Sequence, residues 1–174
     1  MISEDDRKYL MYKAFSFTAS YDALVAQYLS YQLKISFPKT LTVTYEKTQD
    51  MLYGENPHQR AAVYREPLLK EGSIARARQL AGADLTYNNI HDANSALELV
   101  KEYDEPAVVA CKHGEPCSVG TGNDLFEACD RAAEADPLRF RGGILAMNGV
   151  VDARIAARVR DMGVEVVIAV GFTP

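Results

Sequence analysis

With 174 residues, 48% hydrophobic composition and a formal charge of −5, the chain has enough material for one buried core, and length alone favours one domain. It lacks the basic footprint of a nucleic-acid or anionic-membrane binder, and neither a membrane-length apolar run nor a signal peptide is legible, since Glu4, Asp5 and Asp6 crowd the start. Three cysteines, Cys111, Cys117 and Cys129, fit no disulfide framework and suit a reducing cytoplasm.

From Ser3 to about Gln32 there is no Gly or Pro, and the apolar residues Leu10, Ala14, Phe15, Tyr21, Leu24, Tyr28 and Leu29 predict one or two amphipathic helices that pack against the rest. Ser3 and Asp6 form an N-cap with an acidic first turn. After Pro38, the β-branched run Leu41–Tyr45 predicts a strand. Tyr53-Gly54-Glu55-Asn56-Pro57-His58-Gln59 is dense in turn formers and hydrogen-bonding groups, which fits a ligand loop or an ordinary connection, and Ala61–Tyr64 reads as a strand. Ser73–Leu80 suggests a short helix ended by Gly82. Tyr87–Asp92 reads as a polar knot before a helix that runs to about Tyr103, with Asp92 as its cap.

Val108-Val109-Ala110-Cys111 is a buried-strand signature, broken by Gly114 and Pro116 just after Lys112 and His113. A lysine and an imidazole at a strand end suit proton chemistry near neutral pH, and equally suit an ordinary solvated cap. Beyond them come a helix from Asn123-Asp124 to Asp136-Pro137, a strand at Ile144–Met147, a helix at Val151–Met162 and a strand at Val164–Val170. Strand, helix, strand, helix, strand predicts a parallel sheet with its ligand site at the carboxyl ends of the strands. Arg139, Arg141, Gly142 and Gly143 offer guanidinium groups beside exposed backbone amides, a combination that cradles anions. The chain stops directly after the last apolar strand, which reads as an interrupted domain.

His113-Gly114-Glu115 followed by Pro116-Cys117 contains the ingredients of a zinc deaminase site, but the next cysteine is Cys129, and with that spacing three ligands do not easily converge, which makes zinc the minor reading. No Gly-x-Ser-x-Gly elbow, P-loop or dinucleotide fingerprint is present. Proton chemistry by Lys112 and His113 beside hydrogen-bonding loops is what remains.

Four separated motifs, Tyr53–Gln59, Tyr87-Asn88-Asn89, Lys112-His113 and Glu165–Ala169, together with Lys13–Asp22, resemble the bifunctional purine-biosynthesis enzyme family with AICAR transformylase and IMP cyclohydrolase activities. The resemblance covers nearly the whole chain. It implies a helical junction segment at 1–37 and, at 38–174, the first of two transformylase subdomains. The implied fold is α/β, a three-layer α/β/α cytidine-deaminase-like subdomain with a mainly parallel or mixed sheet, preceded by N-terminal helices and without zinc. The implied reaction moves a formyl group from 10-formyltetrahydrofolate, the folate cosubstrate, to the 5-amino group of the AICAR nucleotide, with no metal.

By resemblance, His113 is the base and Lys112 assists proton transfer or charge stabilisation, while Tyr53 and Asn89 contact the nucleotide and Gly142 lies in a loop over it. A homodimer, or a complementing second subdomain, completes the pocket. Neither nucleic acid nor membrane is an expected partner, and the expected location is the cytoplasm. Three residues depart from the family pattern: Leu52 stands where an arginine usually meets substrate phosphate, Glu115 follows Lys-His, and Arg141 replaces an aromatic residue. Arg139 or Arg141 is the available substitute for the phosphate arginine. The reading from a different class is a noncatalytic binding or assembly module that needs a second chain.

Overall fold

Ser3 starts the first helix, α1 (Glu4–Gln32), through the capping box expected of it: its hydroxyl accepts from the Asp6 amide at 3.0 Å, and the Asp6 carboxylate accepts from the Ser3 amide at 3.0 Å. These bonds satisfy donors that the first turn would leave open, and they hold the Asp6 carboxyl below its ordinary range. The packed amphipathic helix does not follow. Among the described residues of α1 only Ala23 is buried, and Leu10, Phe15, Tyr21, Tyr28 and Leu29 are all exposed. Runs such as Tyr9-Leu10-Met11-Tyr12 spread apolar side chains around the axis, so no single stripe forms.

The computed structural model describes residues 2–68 and 72–174. Where length favoured one domain, the chain divides into two compact units, Met1–Thr48 with Tyr64–Lys70, and Gln49–Val63 with Glu71–Pro174. In the first, Leu41–Tyr45 is not the expected strand. It is held to α1 by side chains, with Ser20 Oγ 2.8 Å from Thr44 Oγ1 and Gln27 Nε2 donating to the Thr42 carbonyl at 3.0 Å. Strand propensity has no effect without a partner ladder. The ladder forms later, between the mostly polar β1 (Glu46–Met51) and β2 (Ala61–Arg65).

The second unit carries a four-stranded sheet in the order β4-β3-β5-β6, built from β3 (Ala107–Lys112), β4 (Glu115–Thr121), β5 (Ile144–Val151) and β6 (Val166–Phe172). The sheet is mixed, as the resemblance allowed, and not the parallel sheet that the strand-helix alternation predicts. β3 runs antiparallel to both β4 and β5, and only β5 and β6 are parallel. The reason lies at Gly114 and Pro116, which do not end the strand region: His113 and Gly114 both take positive φ (58° and 77°), and the chain doubles back into β4. A two-residue hairpin loop of this hand matches strand twist, and Pro116 is tolerated because β4 is an edge strand. Cys117 therefore lies in a strand.

Side chains alternate across this sheet. Val109, Cys111, Ala146 and Ile168 pack on one face against Ala96, Leu97 and Val100 of α2 (Tyr87–Val100). Val108, Ala110, Leu145 and Met147 pack on the other face against Ala128, Cys129 and Ala132 of α3 (Leu125–Ala135) and Ile155 and Val159 of α5 (Ala153–Met162). Three layers, α/β/α, result, and each fully buried Val or Leu contributes roughly 1.5–3 kcal/mol. A short helix, α4 (Pro137–Phe140), seats the buried Phe140 at the α3 side. Asp124 and Asp152 cap α3 and α5. Asn148 ties the sheet to the loop after α2, accepting from the Ala107 amide and donating to the carbonyls of Tyr103 and Glu105. The expected helix at Ser73–Leu80 shrinks to a 3-10 turn, Ile74–Arg76, and the helix expected to start after Asp92 starts instead at Tyr87, capped by Thr86.

Cys129 is the small core residue expected, and burial pushes its thiol up to about 11 and that of Cys111 to about 12. Both folded values lie above the unfolded one, so this stabilisation is complete below about pH 9 and is lost as pH rises toward 11–12. Denaturant titrations at pH 8.5 and 10.5 should show a larger fall in stability for the native chain than for the Cys111→Ala/Cys129→Ala variant. Equal falls would contradict the assignment.

Candidate active site

Because β3 is antiparallel to β5, its carboxyl end meets the amino ends of β5 and β6: Cys111 is opposite Ile144, and Ile144 is opposite Val166. The site is therefore not the row of carboxyl ends expected of a parallel sheet. It is one strand end, a hairpin turn, the segments entering two strands and the first turns of α2.

Lys112 is the last residue of β3, and it is half-buried. Its Nζ donates to the Arg141 carbonyl at 3.1 Å. Gly142 has φ 71°, and a Cβ there would sit 3.5 Å from Lys112 Nζ. That is an ordinary contact, so the positive φ rather than lack of space is what favours glycine here. Gly142 N donates to the Gly163 carbonyl at 2.8 Å, and Gly143 takes the Glu165 amide on its own carbonyl at 3.0 Å. Lys112, Arg141, Gly142 and Glu165 are consequently joined in one backbone-anchored cluster.

His113 is exposed and lies in the left-handed region, which costs a non-glycine residue on the order of 1–3 kcal/mol. The compensation comes from Asp92 in α2. Its carboxylate accepts from the His113 amide at 2.9 Å and the Gly114 amide at 2.6 Å, while its side chain is only 13% exposed. Hydrogen bonds to a charged acceptor contribute about 1.5–3 kcal/mol each, enough to offset the strain. Over Gly114 lies His91, whose ring stacks on Tyr87 with centroids 6.4 Å apart.

Asn89 is the third residue of α2, and much of its hydrogen-bonding capacity is used within the fold. Its Oδ1 accepts from the Thr86 amide and hydroxyl, and its Nδ2 donates to Glu165 Oε2 at 3.2 Å. Tyr53 is half-buried in a loop closed on itself, where Gly54 N donates to the Gln59 carbonyl at 2.9 Å, Gln59 N to the Asn56 carbonyl at 3.0 Å, and Asn56 N to Gln59 Oε1 at 2.9 Å. Among the described residues, no hydrogen bond joins this loop to the Lys112 cluster. Of the two arginines, Arg139 pairs with Asp136 at 3.7 Å, whereas the exposed Arg141 has no ion pair among the described residues.

The sequence model of the AICARFT/IMPCHase bienzyme family matches residues 1–174. The chain belongs to that family. It is 49% identical over 172 residues to the "Bifunctional purine biosynthesis protein PurH" of Bacillus cereus, and 48% identical to the protein of the same name in Bacillus cytotoxicus. In Bacillus anthracis a protein of that name is 49% identical over 172 residues. Each alignment covers 99% of this chain and 34% of the relative, so the chain spans about a third of the length of the curated relatives it matches.

Within this family member, the structure brings Lys112, His113, Arg141, Gly142 and Asn89 to one end of the sheet in the second unit, with Arg139 beside them on α4. Sequence reasoning missed Asp92 as a clamp on the turn and Glu165 as the partner of Asn89. The available signal was a residue-Gly pair between two strand-like runs, which marks a hairpin whose two inward amides need an acceptor.

Gly114→Ala should cost about 1–3 kcal/mol, because alanine is strained at φ 77° and its methyl would overlap the His91 ring. Thermal unfolding of the variant measures this, and an unchanged melting temperature would rule out the left-handed turn.

Proposed function

We propose that this chain forms the first part of a transformylase site that moves a formyl group from 10-formyltetrahydrofolate to the 5-amino group of AICAR in purine biosynthesis. The observation that carries the reading is the Lys112-His113 pair at the end of β3, held against the Gly142 loop and the start of α2. The acceptor amine is a poor nucleophile, since its lone pair is delocalised into the imidazole ring. Attack on the formyl carbon therefore needs removal of an amine proton and stabilisation of the oxyanion that develops. His113, exposed on a turn of fixed backbone, is placed to take that proton. Lys112, fixed by its bond to the Arg141 carbonyl, supplies positive charge beside the same turn and assists in holding the oxyanion. Collapse of the tetrahedral intermediate returns a proton to the departing folate nitrogen.

In this reading, Tyr53, Asn89 and Gly142 contact the nucleotide. Leu52 is exposed and supplies no charge, so Arg141, which has no ion pair among the described residues, takes the phosphate in preference to Arg139, which is engaged by Asp136. Residues 1–37 act as the junction segment and 38–174 as the first subdomain, working in the cytoplasm. The chain spans only 34% of its relatives, and on that observation a second subdomain or a homodimer partner completes the pocket. The same observation favours the second reading, a binding or assembly module with no turnover of its own.

Formyl transfer is assayed with the chain alone and after addition of the part of the relatives it lacks. Turnover by the chain alone would reject the module reading. In the complemented enzyme, His113→Ala should lower kcat by about 100-fold or more, and intact turnover would remove His113 as the base. Calorimetric titration should show the nucleotide binding more tightly than its nucleoside, with the difference shrinking in Arg141→Ala. Equal affinities for the two ligands would exclude a phosphate site.

A further inference from the structure

Asp92 lies in the second turn of α2, six residues beyond the Thr86 cap, so its carboxylate is not used to start the helix. It is spent on the turn that carries His113. Two successive backbone amides with positive φ form a concave anion site, and here His113 N and Gly114 N both point at one carboxylate, at 2.9 and 2.6 Å. His91 Nδ1 also faces that carboxylate, 3.7 Å from Oδ1, and the buried Cys111 thiol lies within its electrostatic reach. Lys112, one residue upstream, is fixed separately through the Arg141 carbonyl. The helix and the loop before β5 thus hold the two candidate catalytic residues from opposite sides of the sheet end.

We propose that Asp92 is a positioning residue: by filling the amide nest of the turn with an internal carboxylate, it fixes the His113 backbone and excludes a second anion, such as a substrate phosphate, from that nest. The proposal rests on the reading of His113 as the base. Asp92 acts through the turn and touches no substrate atom. A carboxylate is required because its two oxygens can each accept one amide, whereas an amide side chain in its place offers one acceptor and turns a donor toward the other N–H.

Backbone amide exchange by NMR, on the full chain and its Asp92→Asn variant, provides the test. His113 and Gly114 amides should exchange about tenfold or more faster in the variant, while Val109 and Ala146 in the sheet keep their rates. In the complemented enzyme the variant should lose about tenfold or more in kcat, with the nucleotide KM within about twofold of the native value. Asp92→Glu, which keeps the charge but displaces it by one methylene, should restore part of both and serves as the comparison if Asp92→Asn fails to fold. Unchanged exchange at the two amides, equal acceleration throughout the sheet, or unchanged kcat despite faster exchange would each overturn the proposal. His113→Ala separates the two ideas: full turnover in that variant defeats the reading of the base, while the amide comparison still decides whether the clamp exists.

Discussion

The second unit depends on β3 being buried on both faces and then having to leave the core within two residues. Val108, Val109, Ala110 and Cys111 are fully enclosed between α2 on one side and α3 and α5 on the other. Nothing polar can follow them inward, so Lys112 and His113 fall at the first place where solvent is accessible. The strand that anchors the fold therefore also presents the candidate chemistry, and a rigid strand end positions such groups better than a free loop does.

That exit is strained, and the surrounding elements balance it. His113 occupies a backbone region that few non-glycine residues take, and the turn closes because α2 delivers a carboxylate to its two amides. On the other side the loop before β5 places two glycines where the Lys112 ammonium and the Cys111 carbonyl come close. Asn89 and Glu165 bind α2 to the entrance of β6 across the same end. The result is a preorganised sheet end in which flexible side chains, Lys112 and Asn89, are already bonded to fixed partners.

The two units differ in how their apolar surface is used. In the second, alternation along β3 and β5 sends every second side chain to an opposite helical layer. In the first, α1 forms from local signals alone, its capping box and an uninterrupted run of helix-compatible residues, and its tyrosines and phenylalanines stay exposed. A helix can be locally well specified without its apolar surface being satisfied within one chain.

Local physics made much of this legible in the sequence. The Ser3 cap, the buried run ending at Lys112, the start of α3 at Asp124, and the core role of Cys129 all follow from contacts within a few residues or from side-chain polarity. Strand direction did not, because whether β3 meets β4 by a tight hairpin turns on backbone angles at His113 and Gly114 that a histidine does not advertise. The Leu41–Tyr45 propensity likewise failed where no partner strand was offered. Family membership was also readable, since its motifs are contiguous short segments. What only the tertiary structure decided was the employment of Asp92, Asn89 and Glu165: residues 21 and 76 positions apart in sequence, His113 with Asp92 and Glu165 with Asn89, become bonded neighbours. Their pairing depends on the long-range packing of α2 against the sheet, which no local pattern encodes.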